Sequence, residues 1–379
     1  MWQILFRIHI PSWFPRVGGA DIPVYGYGVM MVIGFFAAMW LAQCLARRSK
    51  IDPEIFGNAA LIALVTGVLG ARLSHVLENF AVYTDPNRSA WTNFIDAINI
   101  RSGGLTYYGG FLLAFPALVL YGWWKKVPLR TGMDIVAPCL MVGLAFGRIG
   151  CFLNGCCYGA ECKVAWAVQF PYGSDAYVEQ FDQNSLAQPV PRQLVPDFIE
   201  RQMTDASGKV TIEKVPNPLA LYMDTRGLSA LQEPLPAGAV PLLNFRHLKS
   251  RDQAIAEGLG SLVSQEKANA VHPAQLYSTA TAFLIAGFLL AYFTLPHIPG
   301  HVFAAMMMIE GLFRYILEML RVEPSVAGRG TGVLTFLPPQ SYSMVVSVLL
   351  IIGGAVLWFA FSRFAAKRGE VRGFAVVTT

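Results

Sequence analysis

Seven apolar runs constrain this chain more than any other feature, at residues 24–46, 56–77, 105–124, 133–153, 273–295, 302–320 and 342–364. A hydrocarbon layer about 30 Å thick holds no water for unpaired backbone groups, so each crossing takes a helix of roughly 20 apolar residues. Hydrophobic residues make up 54% of the 379-residue chain and charged residues only 14%, too few to coat a soluble globule of that size. The expected fold is an all-α polytopic membrane protein with seven transmembrane helices and a small mixed α/β extracytoplasmic head. Residues 1–161 carry spans one to four, residues 162–271 form the head, and residues 272–379 carry spans five to seven.

Orientation follows from the flanking charges. Arg47, Arg48, Lys50, Lys125, Lys126, Arg130, Arg363, Lys367, Arg368 and Arg372 fall on one side, ten basic residues against six (Arg7, Arg16, Arg88, Arg101, Arg321 and Arg329) on short segments of the other. The richer side is expected to be cytoplasmic, which puts the N-terminus outside and the C-terminus inside. The net charge of +5 suits anionic lipid, and no basic cluster with interleaved aromatics points to nucleic acid. Residues 1–15 read as an interfacial lead-in without a cleavage site. Within the head, the proline-rich tracts 188–196, 215–218 and 233–241 predict extended chain and turns, 164–170 a strand, and 250–265 one amphipathic helix.

Ionisable groups inside such runs are costly, about 2.5–3.5 kcal/mol for an arginine at the bilayer centre, and mark functional positions. Among them are Arg72, Arg148, and Arg314 with Glu318. Arg148 lies in residues 147–159, Gly-Arg-Ile-Gly-Cys-Phe-Leu-Asn-Gly-Cys-Cys-Tyr-Gly, which pack a guanidinium, an amide, three thiols and four glycines into one helix end. Glycines let backbone N–H groups approach a ligand closely, so the stretch predicts an anion site facing lipid. Tyr27 and Gly28 open the first run, Gly103, Gly104, Gly109 and Gly110 the third, and His272, Gln275 and Tyr277 the fifth. Arg314 and Glu318, four residues apart, share one helix face. Each motif also has a plainer reading: belt tyrosines, helix packing, or a structural ion pair.

Together these motifs resemble the prolipoprotein diacylglyceryl transferases of the bacterial inner membrane. The resemblance rests on residues 147–159, Tyr27-Gly28, Gly103-Gly104 with Gly109-Gly110, Gln275-Leu276-Tyr277, and Arg314 with Glu318, and follows the seven runs in order; the long polar segment matches poorly. It implies transfer of the diacylglyceryl group from phosphatidylglycerol to the lipobox cysteine thiol of a preprolipoprotein, giving a thioether and glycerol phosphate within membrane lipid, with no cofactor and no metal. By that resemblance the expected catalytic residues are Tyr108, Arg148, Arg314 and Glu318. The expected substrate-binding residues are Tyr27, Gly103, Gly104, Cys151, Asn154, Cys156, Gly159, Gln275 and Tyr277. Arg148 and Arg314 would stabilise the departing phosphate, and Glu318 would orient an arginine.

Three positions depart from the family pattern: Tyr108 replaces a histidine, Cys151 an asparagine and Cys156 a glutamate. The identity of the general base is thereby left open. Other readings are a lipid-dependent transferase with another acceptor, a non-enzymatic lipid transporter, and a cysteine–metal membrane protein, although Cys-x4-Cys-Cys-x4-Cys is not a common zinc spacing. Cys156 or Cys157 either pairs with Cys162 in a disulfide or stays a free packing thiol; Cys44 and Cys139 read as inert core.

Overall fold

The computed structural model describes residues 4–9, 21–84, 89–99, 106–183, 185–204, 210–217, 219–220, 223, 248–321, 326–327 and 340–368. Strands β1 (Ile4–His9) and β2 (Asp21–Tyr25) pair antiparallel and lead into helix α1 (Gly26–Arg48). Helices α2 (Pro53–Glu78), α3 (Phe80–Tyr83), α4 (Ala90–Ile98), α5 (Tyr107–Trp124) and α6 (Leu129–Asn154) follow. The segment after α6 holds α7 (Asp175–Asp182), the antiparallel hairpin β3 (Phe198–Thr204) and β4 (Val210–Pro216), and two short helices, α8 (Arg251–Ala256) and α9 (Gly260–Gln265). The chain then returns through α10 (Ala274–Thr294), α11 (His301–Glu318), the small pair β5 (Val326–Ala327) and β6 (Gln340–Ser341), and α12 (Tyr342–Arg368).

Five helices are long and apolar enough to cross a bilayer: α1, α2, α6, α10 and the Ser343–Ala366 part of α12. The protein is thus mostly helical, with the spans of a polytopic membrane protein. The third expected run gives α5, whose apolar part, Gly109–Trp124, is shorter than a full crossing. The sixth gives α11, an 18-residue helix that carries Glu310, Arg314 and Glu318. Helix α6 has 26 residues, which at about 1.5 Å per residue exceeds the thickness of the apolar layer.

The chain divides into two compact units interleaved in sequence, the first being Met1–Met31, Gly147–Thr279 and Ile316–Tyr342, the second Val32–Phe146, Ala280–Tyr315 and Ser343–Thr379. In the second unit, Asp52 accepts from the Glu54 N–H at 2.9 Å and Pro53 fills the first turn, so α2 starts with its backbone donors provided for. Helices α2 and α5 approach through glycine: a Cβ at Gly109 would overlap the Gly70 carbonyl and Ser74, and one at Gly110 would lie 2.9 Å from the Gly67 carbonyl. This second glycine pair of the third run is therefore used for helix packing. Arg72, buried, also has a structural task, donating through Nε to the Ala97 carbonyl (2.8 Å) and through a terminal nitrogen to the Asp96 carbonyl (2.6 Å) at the end of α4. Asp134, 1% exposed, accepts from the N–H groups of Gly300 (2.6 Å) and Phe303 (2.9 Å), giving the backbone donors at the start of α11 an acceptor.

The first unit has its own apolar core, built from Phe170, Tyr172, Tyr177, Leu194, Leu219 and Val271 among others. Its buried phenols are partnered: Tyr177 donates to Glu266 at 2.9 Å and Tyr172 to the Lys249 carbonyl at 2.8 Å. Three sequence expectations change here. Residues 4–9 are a strand, because extended backbone next to β2 can pair the N–H and C=O groups that a lone interfacial segment would leave open. Residues 164–170 turn at Ala165-Trp166, and only Val168 forms a bridge, to Val271. The predicted helix over 250–265 is two helices, because Gly258 takes a left-handed φ of +82° that ends the first.

Candidate active site at the end of α6

The last turn of α6 closes on Cys151, whose carbonyl accepts from the N–H groups of Gly155 (2.9 Å) and Cys156 (3.2 Å). Gly155 takes φ +83°, the left-handed turn that commonly ends a helix, and Cys157 takes φ +61°. For a residue with a side chain that conformation costs about 1–2 kcal/mol, so the surrounding structure must hold Cys157 in place. The result is a convergence the sequence order does not announce: the sulfurs of Cys151, Cys156 and Cys157 all lie within 4.8 Å of one another. Among the described residues this is the only group of three or more metal-ligating side chains that converges. All six cysteines are free, so neither Cys156 nor Cys157 is joined to Cys162.

The three thiols do not share charge equally. Hydrogen bonds from Cys151 and Cys156 hold the Cys157 thiol well below the usual range, and the positive charges of Arg321 and Arg148 act in the same direction. Cys156 is pushed up by its bonds to Cys151 and Cys157 and by burial. Arg148 contributes more than charge: its Nε is buried and makes no hydrogen bond among the described residues. A buried guanidinium N–H without an acceptor calls for an anionic group.

The surrounding segments lock this loop. Gln275, 1% exposed, donates from Nε2 to the Cys156 carbonyl at 2.7 Å, while its Oε1 is buried without a partner among the described residues. Gly159 N–H donates to the His272 carbonyl (2.9 Å), and Ala160 N–H to the Leu320 carbonyl (2.8 Å), which knits the loop to the start of α10 and the end of α11. Only glycine fits at 159, since a Cβ there would lie 2.7 Å from the Leu320 carbonyl oxygen. Next to this junction Glu318 pairs with Arg321 at 3.5 Å. Tyr277 receives the Trp166 indole N–H at 2.6 Å and lies 3.2 Å from His272 Nδ1. Tyr27 packs against α6 at Gly150, where a Cβ would lie 3.0 Å from its ring.

The structure thus brings together Tyr27, Arg148, Cys151, Asn154 as the last residue of α6, Cys156, Gly159, Gln275, Tyr277 and Glu318 in one unit. Arg314 belongs to the other unit, where its Nε donates to Ser343 at 3.2 Å. Tyr108 stands in the first turn of α5, also in the other unit; its side chain, like Gly103 and Gly104, lies outside the described residues. Three participants escaped the sequence reading. Arg321 counted there only as a flanking charge, although its place three residues after Glu318 was a usable signal. Trp166 had none, since it reaches Tyr277 across 111 positions. Cys157 reads in the sequence as a disulfide partner or a packing thiol, and only its backbone conformation and neighbours place it with Cys151 and Cys156.

Comparison with known proteins bears on this geometry. The sequence profile described as prolipoprotein diacylglyceryl transferase matches residues 17–360. Curated relatives include the phosphatidylglycerol–prolipoprotein diacylglyceryl transferase of Rhodopirellula baltica, 36% identical over 161 residues, which are 42% of this chain and 32% of the relative. The protein of the same name from Corynebacterium glutamicum is 33% identical over 155 residues, 41% of this chain and 48% of the relative. That from Dehalococcoides mccartyi is 33% identical over 178 residues, 45% of this chain and 64% of the relative. The matched stretches thus span between about a third and just under two thirds of those relatives. The profile, in contrast, runs through nearly every helix described above, and on that extent the chain belongs to the prolipoprotein diacylglyceryl transferase family.

Proposed function

We propose that this protein transfers the diacylglyceryl group of phosphatidylglycerol to the lipobox cysteine thiol of preprolipoproteins, forming a thioether and releasing glycerol phosphate. The observation that carries the reading is Arg148, a guanidinium at the end of a membrane helix whose buried Nε lacks an acceptor among the described residues. A lipid phosphate supplies that acceptor. As the acceptor thiolate attacks the glyceryl carbon next to the phosphate ester, the C–O bond breaks and the electron pair leaves on phosphate oxygen, where Arg148 stabilises it. Arg321, paired with Glu318, adds positive charge on the same side. Gln275, Gly159 and Tyr277 position the loop, and Tyr27 lines it. Roles for Arg314 as a second phosphate ligand and for Tyr108 as a donor or base rest on the family resemblance.

The proposed setting is the bacterial inner membrane. Helices α5 and α11 cross it as the five long apolar helices do, residues 162–271 stand outside, the N-terminus is outside and the C-terminus cytoplasmic, in line with the basic flanks. The test is complementation of a strain depleted of its own transferase, with the acceptor cysteine examined by mass spectrometry. A diacylglyceryl thioether and restored growth are expected. Membrane insertion without any thioether would overturn the reading.

A further inference from the structure

The family pattern calls for no metal, yet this chain replaces two of that pattern's polar residues by cysteine and folds a third cysteine against them. From this cluster we propose that Cys151, Cys156 and Cys157 bind a thiophilic d10 metal ion, Zn(II) being the foremost, whose remaining position takes the acceptor thiol.

The geometry is close to what such an ion needs. Zinc–thiolate bonds of about 2.3 Å put ligand sulfurs roughly 3.8 Å apart in a tetrahedron, and the three sulfurs here already lie within 4.8 Å of one another. Small χ1 rotations close that gap. The backbone is arranged for convergence: Cys157 is held at φ +61°, and Gln275 fixes the Cys156 carbonyl at 2.7 Å. A strained, clamped thiol loop is poorly explained as packing, since glycine would hold the same backbone at 157 without the strain. Three thiolates on a divalent ion leave one net negative charge, and Arg148 and Arg321 stand by to balance it. Three protein ligands with a fourth place open is also the pattern of metal sites that act on a substrate.

The role in thiol transfer rests on the transferase reading above. A thiol that binds the metal gives up its proton to water and stays a nucleophilic thiolate. Its sulfur attacks the glyceryl carbon, a C–S bond forms, the C–O bond breaks, and glycerol phosphate departs with the electron pair. The product thioether is neutral and a weaker ligand, so it leaves the ion. Deprotonation then needs no side-chain base, which fits a chain that has tyrosine at 108.

The full chain, purified in detergent under reducing conditions, is assayed for bound metal and titrated with zinc and cadmium chloride, following the thiolate-to-cadmium charge-transfer band. One ion per chain is expected, falling to none in Cys156→Ser and in Cys157→Ser and unchanged in Cys162→Ser. No binding by the wild type, equal binding by Cys157→Ser, or a disulfide within the trio would overturn the site. Chelation should abolish lipidation and added zinc restore it; a chelated protein that lipidates at full rate would overturn the role in thiol activation. A chain that binds one ion but never lipidates leaves the site standing and removes the transferase reading and the activation step with it.

Discussion

Replacing Gly159 by alanine perturbs the junction on which the proposed site depends. An added Cβ would lie 2.7 Å from the Leu320 carbonyl oxygen, 2.8 Å from His272 Cβ and 3.1 Å from the His272 carbonyl oxygen. Carbon contacts are comfortable at about 3.5–4.0 Å, so His272 must retreat by close to 1 Å. None of these atoms is the end of a flexible side chain, and the backbone hydrogen bonds Gly159 to His272 (2.9 Å), Ala160 to Leu320 (2.8 Å) and His272 to Ala160 (3.0 Å) oppose the movement. Overpacking of this kind costs about 1–3 kcal/mol, and loosening one such bond adds about 0.5–1.5 kcal/mol. The expected loss is about 2–4 kcal/mol, read by thermal unfolding of the full chain in detergent. A displacement near 1 Å between the thiol loop and Gln275 should also slow lipidation by about a hundredfold. Gly287→Ala is the matched control, because a Cβ there meets nothing within 4 Å inside α10, and it should be neutral or stabilising by up to about 1 kcal/mol. If Gly159→Ala matches Gly287→Ala in both stability and rate, the account of this junction is wrong.

Arg148→Ala should reduce lipidation by at least about 10²–10³ with insertion intact, the loss typical of a donor to a developing oxyanion, and full activity in the variant would remove the phosphate from that position. Arg314→Ala and Tyr108→Phe are expected to lower lipidation strongly, and wild-type rates in either would confine the chemistry to the unit that holds Arg148. Gln275→Leu keeps the volume but strips the donor from the partly buried Cys156 carbonyl, so destabilisation of about 1–3 kcal/mol is expected; a melting curve unchanged from wild type would contradict the clamp. His297 is drawn down by burial but raised more strongly by the Asp134 carboxylate 3.6 Å away and the Leu295 carbonyl, so its pKa ends above the ordinary value. A raised histidine stabilises the fold below its unfolded pKa of about 6.5 and loses that contribution as pH rises through the folded value. Thermal stability should therefore fall as pH climbs from 6.5 through the folded value, and His297→Gln should flatten that fall; an equal slope in the variant would count against the pair.

Much was legible in the sequence because the bilayer reads it locally. A helix that crosses hydrocarbon satisfies its own backbone, so the apolar runs placed α1, α2, α6, α10 and α12 to within a few residues, and polar groups at the end of α6 stood out as too costly to be idle. Local rules failed where a partner distant in sequence decides the outcome. Arg72 looked functional and is occupied by the carbonyls of α4; Gly109 and Gly110 suggested a ligand and instead admit α2; residues 4–9 became a strand because residues 21–25 pair with them. The same limit applied to residues 147–159. Spacing alone could not show that a left-handed Cys157 turns its sulfur toward Cys151 and Cys156, because the strain is sustained by Gln275, His272 and Leu320, at least 115 positions further along the chain. The guanidinium near the end of α6 was written in the residues, and the thiol cluster exists only once the chain has closed on itself.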